Sequence, residues 1–143
     1  MTENLQTVIK GNVDLSDCKN LVRLKGITEI KGYLDLDNCS KFKDLGNLEK
    51  IGGNLDLRNT PIKDLGNLKE VGVSLDLRNT PIQDLGNLKE VGGNLDLRRT
   101  QIKSLGNLEK VGWQIFLSKD SKITEEYVKK YKPELFWKCR WIL

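Results

Sequence analysis

Gly53-Asn54-Leu55-Asp56-Leu57-Arg58-Asn59-Thr60-Pro61-Ile62-Lys63-Asp64-Leu65-Gly66-Asn67-Leu68-Lys69-Glu70-Val71-Gly72 is a twenty-residue unit that recurs almost letter for letter from Val73 to Gly92 and again from Gly93 to Gly112. A fixed period of this length makes each copy one structural unit, able to bury its apolar face only against its neighbours, so the chain reads as a solenoid. Within the unit the apolar spacing changes. Leu55 and Leu57 alternate with polar residues, the period of a strand with one buried face. Ile62, Leu65, Leu68 and Val71 then follow at intervals of three. Short 3₁₀ turns or polyproline-like segments keep such a spacing on one side, whereas an α-helix drifts away from it. Pro61 and Gly66 argue further against a continuous helix. Each rung is therefore expected to be a short parallel strand, a tight turn and a return path of 3₁₀ or extended segments.

Outward from that unit, the repeats occupy residues 11–31, 32–51, 52–72, 73–92 and 93–112, with a last strand at 113–117, giving about six rungs in a single domain. From Asp14 to Asp35 and from Asp35 to Asp56 the spacing is twenty-one rather than twenty, the extra residue falling just after the strand, around Lys19-Asn20 and Ser40-Lys41, where a loop absorbs it. Their inward sets are Leu21, Leu24, Ile27 and Ile30, then Phe42, Leu45, Leu48 and Ile51. Residues 1–10 read as a partial rung in which Leu5 and Ile9 begin the stack.

Residues 118–143 read as a C-terminal cap. Trp113 and Phe116 stand where Gly93 and Asp96 stood one repeat earlier, as expected of aromatics that cover a terminal apolar cross-section. Thr124 is placed to cap a short helix over Glu125–Tyr131 with both glutamates in its first turn, and Pro133 ends it. Beyond it Leu135, Trp137, Cys139, Trp141 and Leu143 alternate, which predicts one shared side folded back over the end of the stack. The alternative is that part of this tail is an aromatic anchor for a partner.

The series Leu55, Leu57, Thr60, Ile62, Leu65 and its copy Leu75, Leu77, Thr80, Ile82, Leu85, together with the Asn67-Leu68 and Val71-Gly72 segment, resembles the leucine-rich repeat family. It is similar to the short, regular repeats of bacterial and phage proteins, over about residues 11 to 117. The resemblance implies an α/β-type leucine-rich repeat solenoid, mostly parallel β with little α. Two departures stand out: threonine replaces asparagine at the inward polar position, and twenty residues leave no room for a convex α-helix.

Cys18 and Cys39 take the inward position of Thr60, Thr80 and Thr100 on adjacent rungs. Their spacing permits a disulfide, but with an odd third cysteine, Cys139, and no export signal, reduced thiols are expected. The polar start Met1–Thr7 and the lack of a long apolar run lead to an expected cytoplasmic location, with no membrane partner.

The 143 residues include no histidine, which removes the commonest general base and metal ligand. No catalytic residue, cofactor or metal is assigned. Instead the exposed strand face carries columns: Asp14, Asp35, Asp56, Asp76 and Asp96; beside them Ser16, Asp37, Arg58, Arg78 and Arg98; and a third of Asn54, Ser74 and Asn94 beside Tyr33. Arginines offset the mutual repulsion of stacked acids, leaving only Asp14, Asp35, Asp37 and Asp56 as an unbalanced cluster, which reads as a solvated acidic end. No one acid in the column is singled out for a raised pKa. From Lys119 onward seven Lys/Arg face four Asp/Glu, so the tail supplies +3 of the net +4. It mixes cations with Tyr131, Trp137 and Trp141, yet the acidic column interrupts any basic track for single-stranded nucleic acid.

Proteins resembling this pattern usually grip other proteins with the strand face, and some inhibit enzymes, nucleases among them. The resemblance implies a non-catalytic module docking another protein through Asp56, Arg58, Asp76, Arg78, Asp96, Arg98 and Arg99, with Tyr33, Trp113, Phe116, Trp137, Arg140 and Trp141 as anchors. An inhibitor of a bacterial enzyme, such as an immune nuclease blocked by a phage product, is the specific expectation. A monomer or weak homodimer is expected; the competing expectation is a structural or self-associating module in which the hydrophobic tail pairs two copies end to end.

Overall fold

A computed structural model describes residues 6–142. In chain order its strands are β1 (Thr7–Ile9), β2 (Val13–Asp14), β3 (Ile27–Ile30), β4 (Leu34–Asp35), β5 (Lys50–Ile51), β6 (Leu55–Asp56), β7 (Glu70–Val71), β8 (Leu75–Asp76), β9 (Glu90–Val91), β10 (Leu95–Asp96), β11 (Lys110–Val111) and β12 (Ile115–Ser118). Helix α1 (Glu125–Tyr131), a 3₁₀ segment (Pro133–Lys138) and β13 (Cys139–Ile142) complete it.

The chain is a parallel β-solenoid with two sheets. Strands β2, β4, β6, β8, β10, β12 and β13 form one seven-stranded sheet; β1, β3, β5, β7, β9 and β11 form the other, of six. The first is the expected strand face, with Leu34, Leu55, Leu75, Leu95, Ile115 and Cys139 in register. These side chains are buried, as are Leu36, Leu57, Leu77, Leu97 and Leu117 in the neighbouring inward column. The second sheet was not expected from the spacing. In it the return path pairs as well, Ile30, Ile51, Val71, Val91 and Val111 lying one above another.

Two turns per rung make the coil close. After each main strand one residue takes a left-handed backbone: Asp17, Asn38, Asn59, Asn79 and Arg99 have φ of 57 to 61°. Asparagine and aspartate tolerate that region better than other side chains, because their short polar groups bond locally. The turn is held by Thr60 and Thr80, whose hydroxyls donate to Leu57 O and Leu77 O at 2.8 Å. In the second turn Asp44, Asp64 and Asp84 accept the backbone N–H of Gly46, Gly66 and Gly86.

The ends differ from the expectation. Leu5 and its share of the partial first rung lie outside the described residues, while β1 and β2 make the first rung described. Helix α1 has the expected bounds, and the Thr124 side chain accepts the Tyr127 N–H. The tail does not run as one strand from Leu135. Pro133 opens the 3₁₀ segment, which changes the phase, so Leu135 and Cys139 are buried but Trp137 is turned outward and 80% exposed. Only β13 is extended, and it adds a seventh parallel rung beside β12, with Ile115 opposite Cys139 and Leu117 opposite Trp141. Leu143 lies outside the described residues.

The terminal aromatics are not all cap. Trp141 is: it is half-buried and its indole N–H donates to Ile123 O at 2.7 Å. Trp113 is 61% exposed, and Phe116 sits on the outer strand face opposite Asp96. Both correct the expectation, because β13, Ile123, Val128 and Leu135 already cover the core where those two rings were expected to lie.

The corner between the sheets sets the tightest tolerance. A Cβ built on Gly92 would lie 2.0 Å from Gly72 O, and among the described residues nothing lies within 4 Å of one built on Gly11. Gly92→Ala is expected to cost on the order of 3 kcal/mol or more, since backbone must move apart, whereas Gly11→Ala stays within about 1 kcal/mol of the parent. Urea unfolding of the two variants checks this; equal midpoints would refute the close-approach argument.

Candidate protein-binding face

The outward side chains of the main sheet are fixed by the same register as the leucines. Asp14, Asp35, Asp56, Asp76 and Asp96 stand in one column, continued by Phe116 and Arg140. Each middle aspartate does two jobs. Asp56 Oδ1 accepts the Arg58 N–H at 3.0 Å, tightening the strand end, and the carboxylate also takes Arg58 Nε and Nη2 at 3.0 and 2.7 Å. Asp76 with Arg78 and Asp96 with Arg98 repeat the arrangement. This fork-to-carboxylate geometry is why arginine rather than lysine fits the position.

The arginines also tie rung to rung. Arg58 lies within 3.2 Å of Asp37, 2.7 Å of Asp56 and 3.6 Å of Asp76. Arg78 meets Asp76 and Asp96, and among the described residues Arg98 meets Asp96 alone, its guanidinium lying 5.4 Å from the centre of the Phe116 ring. Hydrogen bonding to these aspartates pushes the three guanidinium pKa values further up. The number of carboxylates per arginine thus falls along the stack, from three to two to one.

Among the described residues Asp14 and Asp35, at the N-terminal end, have no arginine within ion-pair distance. Asp37 occupies the place of Arg58, and desolvation, then the carboxylates of Asp56, Asp14 and Asp37, raise the pKa of Asp35. One acid of the column is therefore singled out, contrary to expectation, because burial desolvates it and no arginine on its own strand offsets the carboxylates around it. Asp14 moves the other way, its carboxylate stabilised by the Ser16 hydroxyl and N–H.

The third column works on the backbone. Asn12, Asn54, Ser74 and Asn94 accept the N–H of Tyr33, Ser74, Asn94 and Gln114 at 2.9 to 3.1 Å. Tyr33 interrupts it and is 38% exposed. A further ladder was missed in the sequence: Asn59 Nδ2 donates to Asp37 and Asn79 Nδ2 to Asn59, each at 3.0 Å. Exposed Arg99 occupies the next place in that row. A groove of about 290 Å³ runs beside it, lined by Arg58, Arg78, Arg98, Arg99, Ser118 and Ile142 among others.

Trp113 and Trp137 form the other exposed feature. They precede the paired residues Ile115 and Cys139 by two positions each, on adjacent rungs. Arg140, exposed, turns its Nη1 back onto Trp137 O and Cys139 O at 2.9 and 2.8 Å. The cysteines take no part in this face. All three are free, Cys39 Sγ donates to Leu15 O, and burial pushes the Cys139 thiol up to about 11. Among the described residues no group of three or more acids and cysteines is arranged to hold a metal, and no helix is long and apolar enough to cross a membrane.

No protein-family model, no curated protein and no solved structure matches the chain.

The Asp35 shift has a measurable sign. A carboxyl whose folded pKa lies above its unfolded one binds its proton more tightly when folded, so its charge costs stability above that pKa and the cost vanishes as pH falls through it. Asp35→Asn, which keeps an oxygen for the Asp37 N–H, is expected to raise the urea midpoint at pH 7, the gain disappearing by about pH 3. A gain that persists in acid, or a loss at pH 7, would show the shift to have another origin.

Proposed function

We propose that this chain is a non-catalytic protein-binding module of the leucine-rich repeat type, whose rigid stack presents the strand face and the Trp113–Trp137 corner to another protein. The carrying observation is the pair of tryptophans on adjacent rungs, at 61% and 80% the most exposed large apolar side chains among the described residues. Solvating two indoles is unfavourable, and tryptophan is among the residues that supply most binding energy when a partner covers them. The aspartate–arginine columns support the same reading from the other side. They are ordered before any partner arrives, so little side-chain entropy is lost on docking. Family resemblance adds the specific form, an inhibitor that covers a working surface of a larger bacterial protein.

The end-to-end alternative is weaker. At the outer edge of β13 the Cys139 N–H already bonds Phe136 O, and the Cys139 carbonyl accepts Arg140 Nη1. A charged side chain folded over a strand edge is a common guard against edge pairing.

The test begins with capture from bacterial lysate, identification of the bound protein and its purification. Calorimetry of the pure pair should then show Trp113→Ser and Trp137→Ser each weakening binding by about tenfold or more, with the thermal midpoint unchanged. A partner bound equally well by both variants, or none at all, would overturn this reading.

A further inference from the structure

Three arginines of the strand face hold something in reserve. Arg58, Arg78 and Arg98 bond their aspartates through Nε and Nη2 only, and among the described residues none of the three Nη1 groups makes a hydrogen bond. All three line the same groove, one rung apart. Their charge is not equally spent. Arg58 is surrounded by three carboxylates, whereas Arg98 has Asp96 alone and Arg99 has no acid within ion-pair distance among the described residues. The groove therefore becomes more positive toward Arg98, Arg99 and Ser118.

Arg99 carries the second observation. At φ 57° it is the one long side chain in a row of turns otherwise filled by Asp17, Asn38, Asn59 and Asn79. Asparagine there would relieve the backbone and extend the amide ladder onto Asn79 Oδ1, which receives no donor among the described residues. Ser118 Oγ meanwhile accepts the Arg99 N–H at 2.8 Å and holds the turn in place. A strained residue in place of a comfortable one points to a role outside folding.

We infer that this groove receives an acidic segment of the partner protein, its carboxylates bonding the free Nη1 groups and the Arg99 guanidinium. This rests on the binding-module reading and adds to it the chemistry of the partner. A nucleic-acid strand fits less well, because Asp37, Asp56, Asp76 and Asp96 flank the arginines and would repel a continuous run of phosphates. A peptide with a few spaced acids meets the donors without that conflict.

The experiment titrates the intact protein with a fluorescent oligoglutamate peptide, an oligolysine peptide and an oligothymidylate at about 50 mM salt, where exposed charges are least screened. Binding is expected for oligoglutamate alone and weakening with added salt. Arg99→Asn is expected to raise the thermal midpoint by about 3 °C and yet to weaken oligoglutamate binding about fivefold, and Arg99→Glu to weaken it further. A role confined to the turn would move the midpoint and leave binding untouched, which overturns the inference. So would equal or tighter binding of oligothymidylate, or no oligoglutamate binding. If oligoglutamate fails while the purified partner still binds and depends on Trp113 and Trp137, the groove assignment falls and the module reading stands.

Discussion

The whole structure depends on one constraint: main-chain hydrogen bonds must pass from each rung to the next at fixed positions. Leu34 N–H reaches Asn54 O, Leu55 reaches Ser74 O, Leu75 reaches Asn94 O and Leu95 reaches Gln114 O, all at 2.8 to 2.9 Å. Once that register is set, every side chain has its counterpart directly above and below. Leucines merge into one dry column, aspartates must find arginines, and glycine is kept wherever two corners nearly touch, as Gly72 does over Gly52. Repetition in the sequence is the consequence. A residue that satisfies its neighbours in one rung satisfies them in the next.

The same constraint makes the ends the hard part. Asp76 and Asp96 are each compensated by the arginine of their own strand and by the one on the preceding rung; Asp14 and Asp35 have neither among the described residues, and they settle for serine, solvent or a raised pKa. At the other end the arginine column runs out of acids, and Arg98 turns to the face of Phe116 instead. The sheet edge is closed by different means, with Arg140 and Phe136 taking the outward groups of Cys139. On the outward face of the main sheet charge therefore separates along the stack, negative at the first rungs and positive at the last.

Much of this was legible in the letters. Alternation at Leu55 and Leu57 placed the strand face, the three columns followed from the period, and Thr124 with Pro133 bounded the helix. What could not be read has a common cause. The second sheet contributes only two residues per rung in β5, β7, β9 and β11, too few for any local period, and it exists because the coils stack. The outward turn of Trp137 came from a 3₁₀ segment that five alternating letters concealed. The unused Nη1 groups were invisible for another reason: a sequence gives the count of opposite charges but not which atoms of a fork they occupy.

In a regular array each residue is explained by its copies, so the departures show where another demand has acted. Some departures simply do the old job. Ser104 replaces aspartate and its hydroxyl still accepts the Gly106 N–H, while Cys39 replaces threonine and still donates to a backbone carbonyl. Others do no such job. Arg99 strains a turn, Trp113 enlarges a corner where Gly93 suffices, and Trp137 holds an indole in water. Stability alone would remove all three, by asparagine, by glycine and by any polar residue. All three also lie beyond the third identical repeat's strand, on the rungs where positive charge is left over. A demand that acts on one end of the stack and favours bulk and positive charge there is what contact with another molecule would impose, and folding supplies no substitute for it.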